Sequence, residues 1–446
     1  MNDRMVRFWS GDPWDKYEMP IIHPLTPRLR MPLLVLAMLV HCGLAHSQSA
    51  GLVLSYQDVL RMSTQNIDVS LATRSVDSAK ADVLSSNRAP LPTLTAKTSS
   101  IDLQNGTGTG SLWQEQRIDK SVGLDWTYER GQKRALRTQS SEKTVDANLA
   151  ELKAVRINQQ ILAANAFFDL LAAQQKSSEV QSIAASYGQL EKVAATRLSA
   201  GDISSQDHAR IAIEARRAMA DALSAELESR RASIALSSVL GIQAGRDRLM
   251  LANEWPSMAS SPSLSEALGA QGIDQLPEVQ AAQDRLNAAE VSLQLAQSLK
   301  KSDITFGSSI DHFPGTSDRL LEFRLQMPLQ WGYGYEGEIA KALTQMDQAR
   351  DQLEKIRMLA SAERLSWSHA LETAKQRLNA YETVIYPQAQ QVASQAELAY
   401  QKGAMSLTDL LDARRTLRTI LIERTNAKAE HAKSMAARNI RYPNSF

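Results

Sequence analysis

The longest polar stretches of the chain carry alanine or larger apolar residues at alternating steps of three and four. In the first half, this spacing joins Ile157, Ile161, Ala164, Phe168 and Leu171. In the second half, it joins Leu353, Ile356, Ala360, Glu363, Trp367, Ala370 and Ala374, and then Ala389, Val392, Ala396 and Ala399. A 3.5-residue period is typical of coiled-coil packing. The pattern predicts long helices over about 132–198, 205–240, 338–401 and 406–440. A helix of some 65 residues is about 100 Å long, so an extended bundle or tube is expected.

Shorter segments alternate apolar and polar residues with a period of two, which is typical of half-buried strands. One weak run covers about 93–101, and stronger runs cover 118–128, 304–310 and 321–329. The segments 102–113 (DLQNGTGTGSLW) and 308–318 (SSIDHFPGTSD) are predicted to be the hairpin loops. Strands of about 9–11 residues can cross a bilayer when tilted. Four strands cannot close a barrel, and an open edge in lipid leaves backbone groups unpaired. The strands therefore form either a soluble sheet or one barrel pooled by several chains.

The two halves of the chain align when Gly201 is set over Gly403. The segments RLSAGDISSQDHARI and AYQKGAMSLTDLLDARR then correspond, and Asp207 falls on Asp409. Each glycine separates two long helical stretches, so the chain is predicted to be an internal repeat. We expect both glycines to supply turn conformations or helix C-caps that other residues disfavour.

The N-terminus has the pattern of a secretory signal. Arg28 and Arg30 precede an apolar run from Met31 to Ala45, and small residues follow at the positions that a signal peptidase reads. The only cysteine, Cys42, lies within this run, so a chain cleaved after Ser47 has no thiol and no disulfide. A second interpretation makes Cys42 a lipidation site. His41 argues against it, because a small residue is expected just before a lipidated cysteine.

Composition and motifs give little sign of enzymatic chemistry. The formal net charge of +1 offers no strong field for nucleic acid. The GxGxxG spacing at Gly332, Gly334 and Gly337 follows an alternating strand, not the continuous apolar strand of a dinucleotide-binding fold. We interpret it as a bend from strand into helix. The seven histidines show no paired ligand spacing, and no nucleophile or phosphate-loop motif occurs, so no catalytic, cofactor or metal site is predicted.

Several segments resemble the TolC family of outer-membrane efflux proteins. AFFDLLAAQQ (166–175) resembles the family's first long helix, and SVLG (238–241) the end of its first half. RLSAGDISSQD (197–207) and AYQKGAMSLTDLLDA (399–413) resemble its two inter-helix turns, and YPQA (386–389) the run into the second turn. The resemblance covers about 50–440. It implies a mixed α/β membrane protein with a coiled-coil-like helical barrel and a transmembrane β-barrel, to which each chain of a homotrimer contributes four strands.

The same resemblance implies a domain order and a function. The order is a leader and signal (1–47), an N-terminal periplasmic helix (48–90), a first hairpin (91–130), a first long-helix repeat (131–245), a linker with an equatorial helix (246–300), a second hairpin (301–330), and a second repeat with a tail (331–446). The function is a passive exit duct in the outer membrane of a Gram-negative cell. Its tunnel lies in the periplasm and docks with a periplasmic adaptor and an inner-membrane transporter. The substrate stays open, with small molecules or metal ions favoured over proteins.

The turns carry the predicted functional residues. Asp409 and Asp412 are three apart and share one helix face, so several chains would ring a constriction with carboxylates that favour cations. The resemblance matches both to the family's selectivity aspartates. Alternatively, Asp409 is only a first-turn acid, and Asp412 pairs with Arg415 or Arg418.

The family's tip gate is matched in part. Tyr400 and Asp207 match its tyrosine and acid, but Met405 stands at its arginine position, with His208 and Arg210 nearby. A periplasmic coiled-coil adaptor or structural rod is the alternative function. It explains the heptads and the signal, but not the paired amphipathic strands.

Overall fold

The computed structural model describes residues 53–106, 108–109, 117–242, 249–257, 272–314 and 317–442. The chain divides into two compact units, Met1–Ala50 and Gly51–Phe446, and every described residue belongs to the second. The predicted leader and signal, with Cys42, lie outside the described residues.

The described elements alternate short strands with very long helices. The helices are α1 (Tyr56–Ser63), α2 (Ile67–Ser86), α3 (Lys133–Ser199), α4 (Ser205–Leu240), α5 (Pro277–Ser298), α6 (Glu336–Ala380), α7 (Tyr386–Gln401) and α8 (Leu407–Arg441). The strands are β1 (Val53–Leu54), β2 (Thr93–Ser99), β3 (Asp119–Tyr128), β4 (Met250–Leu251), β5 (Ile304–Phe313) and β6 (Ser317–Gln326). The predicted long helices are confirmed to within a few residues. The predicted N-terminal helix is instead two helices, because Asn66 caps a new helix with its side chain.

The helix α3, of 67 residues, packs against α2, α4, α5 and α8. Its most buried section forms the largest cluster of the described core. Phe167 and Leu170 are fully buried there, beside Leu236 of α4 and Ala432 of α8. Small residues such as Ala163 and Ala164 let the neighbouring helices approach closely.

In the second half, two of the positions predicted from the 3.5-residue period to be buried are not buried. Ala370 and Val392 are exposed in the single chain, and the next residues, Leu371 and Ala393, are buried instead. A straight α-helix has 3.6 residues per turn, so its buried face drifts away from a strict 3.5-residue pattern.

A π-helical turn, Tyr381–Ile385, joins α6 to α7. Pro387 lies two residues after this turn and has no N–H to donate to it, so one bond of the regular helix cannot form. The turn is attached to α8, because Tyr381 donates to the Glu423 carboxylate at 2.8 Å and Arg424 donates to Glu382 at 2.7 Å. Sequence periodicity gave no sign of this insertion.

The strands β2, β3, β5 and β6 form an antiparallel sheet in that order, and β1 pairs in parallel with β4. The predicted second hairpin needs correction. Residues 308–313 belong to β5 rather than to the loop, and β6 covers 317–326 rather than 321–329. Asp311 pairs with Leu320, and a bulge precedes the Phe313–Ser317 pair, so the hairpin is tighter than predicted. Pro328 lies just beyond β6, where its missing N–H breaks no ladder bond.

One face of this sheet is apolar and exposed. The register places Leu94 opposite Leu124, Trp126 opposite Phe306, and Ile310 opposite Leu321. Leu94 is 72% exposed and Phe323 is 78% exposed. The other face is polar, and at its centre the Asp125 carboxylate accepts from Arg324 at 2.7 Å and from Thr95 at 2.9 Å. The usual polarity of a soluble sheet is therefore inverted in the single chain.

The GxGxxG segment lies between the edge strand β6 and α6, a helix of 45 residues. The Gly334 N–H donates to the segment's own Glu336 carboxylate, at 3.0 and 3.2 Å. The predicted bend is confirmed, with Gly332 at φ +79°. Within the described part of the chain, no helix combines the length and the apolar character that crossing a membrane requires.

Candidate functional site at the two inter-helix turns

The two turns that the repeat predicted share one backbone geometry. Gly201 and Gly403 have φ angles of +81° and +73°. In the first turn, the Gly201 N–H donates to Leu198 O and the Asp202 N–H to Arg197 O. In the second, the equivalent donors are Gly403 and Ala404. This is the Schellman arrangement, which satisfies the last carbonyls of a helix and requires a left-handed residue.

The helix after each turn begins with the same serine and aspartate pair. The Ser204 hydroxyl accepts from the Asp207 N–H at 3.0 Å and donates to the Asp207 carboxylate at 2.8 Å. The Ser406 hydroxyl accepts from the Asp409 N–H at 3.2 Å and donates to its carboxylate at 2.7 Å. Asp207 and Asp409 are therefore first-turn acids that the helix dipole favours.

Asp412 lies one turn further along α8, and its side chain is 65% exposed. Its carboxylate accepts from Arg415 Nη1 at 3.2 Å, so of the two arginines considered as partners, Arg415 is the one it contacts. An exposed pair at this spacing contributes little to stability. The acidity of the turn is therefore only partly neutralised within one chain.

The stronger link at the turns is one that the sequence did not predict. Arg415 Nη2 donates to Glu214 Oε1 at 2.6 Å, and its Nε lies 3.4 Å from Glu214 Oε2. The Glu214 side chain is only 9% exposed. The bond from Arg415 lowers the pKa of Glu214, and the same bond raises the pKa of Arg415. Glu214 lies one turn after Ile211 on the buried face of α4. A carboxylate is rarely buried without a partner, so its position on this face could have indicated a buried ion pair from the sequence.

Neighbouring arginines extend this link. Arg418 of α8 donates to Asp221 of α4 at 2.6 Å. Arg414 pairs with Glu397 of α7 and lies 5.5 Å from the centre of the Tyr187 ring. Burial raises the pKa of Tyr187, so its hydroxyl stays protonated. The arginines of α8 thus connect the second turn to α3, α4 and α7.

The two residues proposed for the gate occupy different surroundings. Tyr400 packs against the cluster that contains Tyr187, Ile211 and Leu411, and the Arg197 guanidinium lies 5.9 Å from its ring centre. Asp207 is engaged with Ser204, and among the described residues no hydrogen bond joins it to Tyr400. Arg210 instead crosses to the second turn, where its Nη1 lies 3.4 Å from Thr408 Oγ1. The gate therefore stays a prediction.

No family model matches the chain. Over 368 residues it is 23% identical to the cobalt-zinc-cadmium resistance protein CzcC of Cupriavidus metallidurans, a match that covers 79% of this chain and 81% of the relative. Over 392 residues it is also 23% identical to nodulation protein T of Rhizobium leguminosarum bv. trifolii. This match covers 84% of this chain and 82% of nodulation protein T.

Solved structures resemble the chain over most of its length. The CmeC outer membrane channel of Campylobacter jejuni superposes with a TM-score of 0.71 at 14% identity, and covers 88% of this chain and 86% of that one. The MtrE outer membrane channel of Neisseria gonorrhoeae, in its open state, gives a TM-score of 0.69 at 16% identity, and covers 86% and 88%. At these identities the likeness shows the fold.

Proposed function

We propose that this chain, whose fold is that of the TolC-type outer-membrane channels, is the exit duct of a tripartite efflux system. It would act as a homotrimer in the outer membrane of a Gram-negative cell, with its helices in the periplasm. Such a duct conducts substrates passively and carries out no catalysis, in agreement with the channel and resistance proteins that the chain resembles.

The observation that carries this proposal is the inverted sheet. Its apolar face is exposed, its polar face carries the Asp125–Arg324 pair, and its outer strands β2 and β6 have free edges within the described sheet. Apolar residues outside and polar residues inside are the pattern of a barrel in lipid. Joining β2 of one chain to β6 of the next would close the edges, which lipid requires.

The helices support the same assembly. The helix α4 packs on α3 and leaves an apolar stripe exposed, at Ile213, Leu223, Leu227 and Ile234. On the α6–α7 side, a second stripe is exposed at Met358, Leu365, Val384 and Val392. Two different stripes on one chain suit a head-to-tail contact between copies, which forms a ring when the rotation closes.

We place the narrow end of the duct at the two turns, with Asp409 and Asp412 around the opening. Repeated in three copies, partly neutralised carboxylates would favour cations. CzcC is named for resistance to cobalt, zinc and cadmium, so divalent metal ions are the substrate class that we favour. An inner-membrane transporter would supply the energy, and a periplasmic adaptor would contact the turns.

A periplasmic adaptor or rod is the competing function. It requires a soluble chain, and the exposed apolar face of the sheet argues against it. The first test is to fractionate expressing cells and measure the size of the detergent-extracted protein by light scattering, corrected for bound detergent. A trimer in the outer-membrane fraction is the expected result. A soluble monomer or dimer in the periplasm would overturn the duct and favour the rod.

A further inference from the structure

Five cationic side chains lie where the sheet meets the helices: Arg88, Arg130, Arg134, Lys300 and Lys301. All five are exposed, and within the described part of the chain none forms an ion pair with a carboxylate. We refer to these five residues as the basic rim. Two further cations nearby are neutralised, because Lys133 pairs with Asp303 at 2.8 Å and Arg137 pairs with Glu129 at 2.5 Å.

Hydrogen bonds place the segments that carry the basic rim next to one another. On one side, Arg134 Nε donates to Asn87 Oδ1 at 3.0 Å, and Arg137 donates to the carbonyl of Arg88 at 3.2 Å. In the middle, the Arg130 N–H donates to Asp303 at 2.9 Å. On the far side, Gln330 donates to the carbonyl of Leu299 at 2.9 Å, which brings the segment after β6 to the residue that precedes Lys300.

The position of these cations conflicts with the local rule for helices. The first turn of α3 contains Lys133 and Arg134 and no acid, and Gln132 provides no side-chain cap. The N-terminus of a helix carries partial positive charge, so cations there are disfavoured. Lys133 has Asp303 as compensation, whereas Arg134 has only the neutral Asn87. A local conflict of this kind is expected where function requires it.

Aromatic side chains lie at the same end of the sheet. Trp331 is 87% exposed, and Tyr333, Trp126 and Tyr128 are about half exposed. Tryptophan and tyrosine concentrate at the interface between hydrocarbon and headgroups. The exposed apolar face of the sheet begins at these rings, and the basic rim lies on their helical side.

We propose that the basic rim binds the phosphate of anionic phospholipids in the inner leaflet of the outer membrane. This inference rests on the proposed function, because it requires the sheet to lie in the bilayer. Charge complementarity selects the occupant, since unpaired guanidinium and ammonium groups at headgroup depth attract anionic lipids and donate to phosphate oxygens. The aromatic rings and the apolar face would contact the acyl chains of the same lipids.

The test uses full-length protein in non-ionic detergent, with native mass spectrometry to count bound lipids. Phosphatidylglycerol, phosphatidylcholine and inorganic phosphate are the added probes. The rim variant carries Arg130→Gln, Arg134→Gln, Lys300→Gln and Lys301→Gln. The matched control removes four exposed cations of helices and turns elsewhere, with Arg216→Gln, Arg231→Gln, Lys355→Gln and Lys402→Gln.

The wild type should retain phosphatidylglycerol in preference to phosphatidylcholine. This preference should fall about fivefold or more in the rim variant, since one basic residue near an anionic surface contributes a factor of about five. The control variant should keep the preference. An equal loss in both variants, or no loss in the rim variant, would overturn the inference. Displacement of the lipid by inorganic phosphate would indicate a free-anion site and overturn the lipid assignment.

A second measurement does not depend on folding of the variant. In the wild type, added salt should weaken the preference for phosphatidylglycerol, because exposed charges are screened. A preference that salt leaves unchanged would exclude the basic rim as its source. A protein absent from the membrane fraction contradicts the proposed duct, whereas a membrane trimer without lipid preference contradicts only this inference.

Discussion

Arg415 on α8 donates to the buried carboxylate of Glu214 on α4, at 2.6 Å. The two residues are 201 positions apart and belong to the two halves of the internal repeat. Their bond joins the helices that follow the two turns. It is a direct contact between the equivalent ends of the two repeats. It is thus positioned to hold the turns of one chain in fixed relation.

Arg415→Ala is expected to destabilise the protein by about 2 kcal/mol, because it leaves the buried Glu214 carboxylate without its charged donor. The free energy of unfolding would be measured by denaturant titration. Glu214→Gln in the same background should recover part of the loss, because it removes the buried charge.

The matched control for this link is Arg350→Ala. Arg350 pairs with Asp347 at 3.4 Å, and both side chains are more than half exposed. Its removal should change stability by less than about 0.5 kcal/mol. Equal losses for Arg350→Ala and Arg415→Ala would show that burial of Glu214 has no energetic consequence.

The ion selectivity of the duct is expected to depend on Asp409 and Asp412. Asp412→Asn with Asp409→Asn should lower the preference for cations over anions and weaken block by trivalent cations, because both changes remove charge and keep side-chain size. The reversal potential in a planar bilayer under a salt gradient measures this preference.

The control for the acids is Asp347→Asn with Asp351→Asn on α6. These two acids are also exposed, and Asp347 has an arginine partner like that of Asp412. They lie far along the chain from the turns and should leave the reversal potential unchanged. Identical shifts in both double variants would mean that only net charge matters, and the acidic ring would be abandoned.

Stability is expected to fall below about pH 6.5 because of His431. Burial and then Lys375 lower the pKa of His431, so the folded state binds a proton only at a lower pH than the unfolded state does. The unfolded state binds a proton as the pH falls through about 6.5, so the free energy of unfolding decreases from there down to the folded pKa. His431→Gln should flatten this slope in denaturant titrations at a series of pH values. The exposed His369→Gln should keep it, and a slope that survives in His431→Gln would assign it to other groups.

Gly403→Ala should destabilise the protein by about 1 kcal/mol, because the left-handed backbone is strained for any residue with a Cβ. An added Cβ meets no atom within 4 Å, so the effect is conformational and not a clash. Gly201→Ala should behave alike. Gly188→Ala, inside α3 and equally free of neighbours, should instead stabilise by up to about 1 kcal/mol. Thermal unfolding of the three variants compares them, and the same sign for all three would refute the turn geometry.

Phe323→Arg should reduce the amount of trimer in the outer-membrane fraction. A charge on the lipid face of a barrel costs about 2–4 kcal/mol near the bilayer centre. Gln326→Arg, on the same strand and the opposite face, should be tolerated. Quantitative immunoblots of membrane fractions would measure both. Normal insertion of the Phe323 variant would mean that this face does not meet lipid.

Local patterns in the sequence were enough to predict the helices, the strands and their repetition. Helix and strand have different periods, and each period is a property of the local backbone. The glycine, serine and aspartate at each turn are local signals too, so Gly201 and Gly403 could be assigned to turns before any fold was known. The two-faced strands also followed from alternation alone, but alternation left open which face is exposed. It did not give the limits of the second hairpin either, because the bulge near Asp311 changes the register.

The contacts between the long helices, in contrast, could be read only from the packed fold. The buried face of a straight helix rotates slowly around its axis relative to a strict 3.5-residue pattern. In the second half, Leu371 is therefore buried where the pattern predicted Ala370. The π-helical turn before Pro387 adds a further offset that no periodic pattern contains. Arg415 and its partner Glu214 are 201 residues apart. Whether they face each other depends on how far the buried faces of two long helices have rotated, and the local sequence cannot specify that rotation.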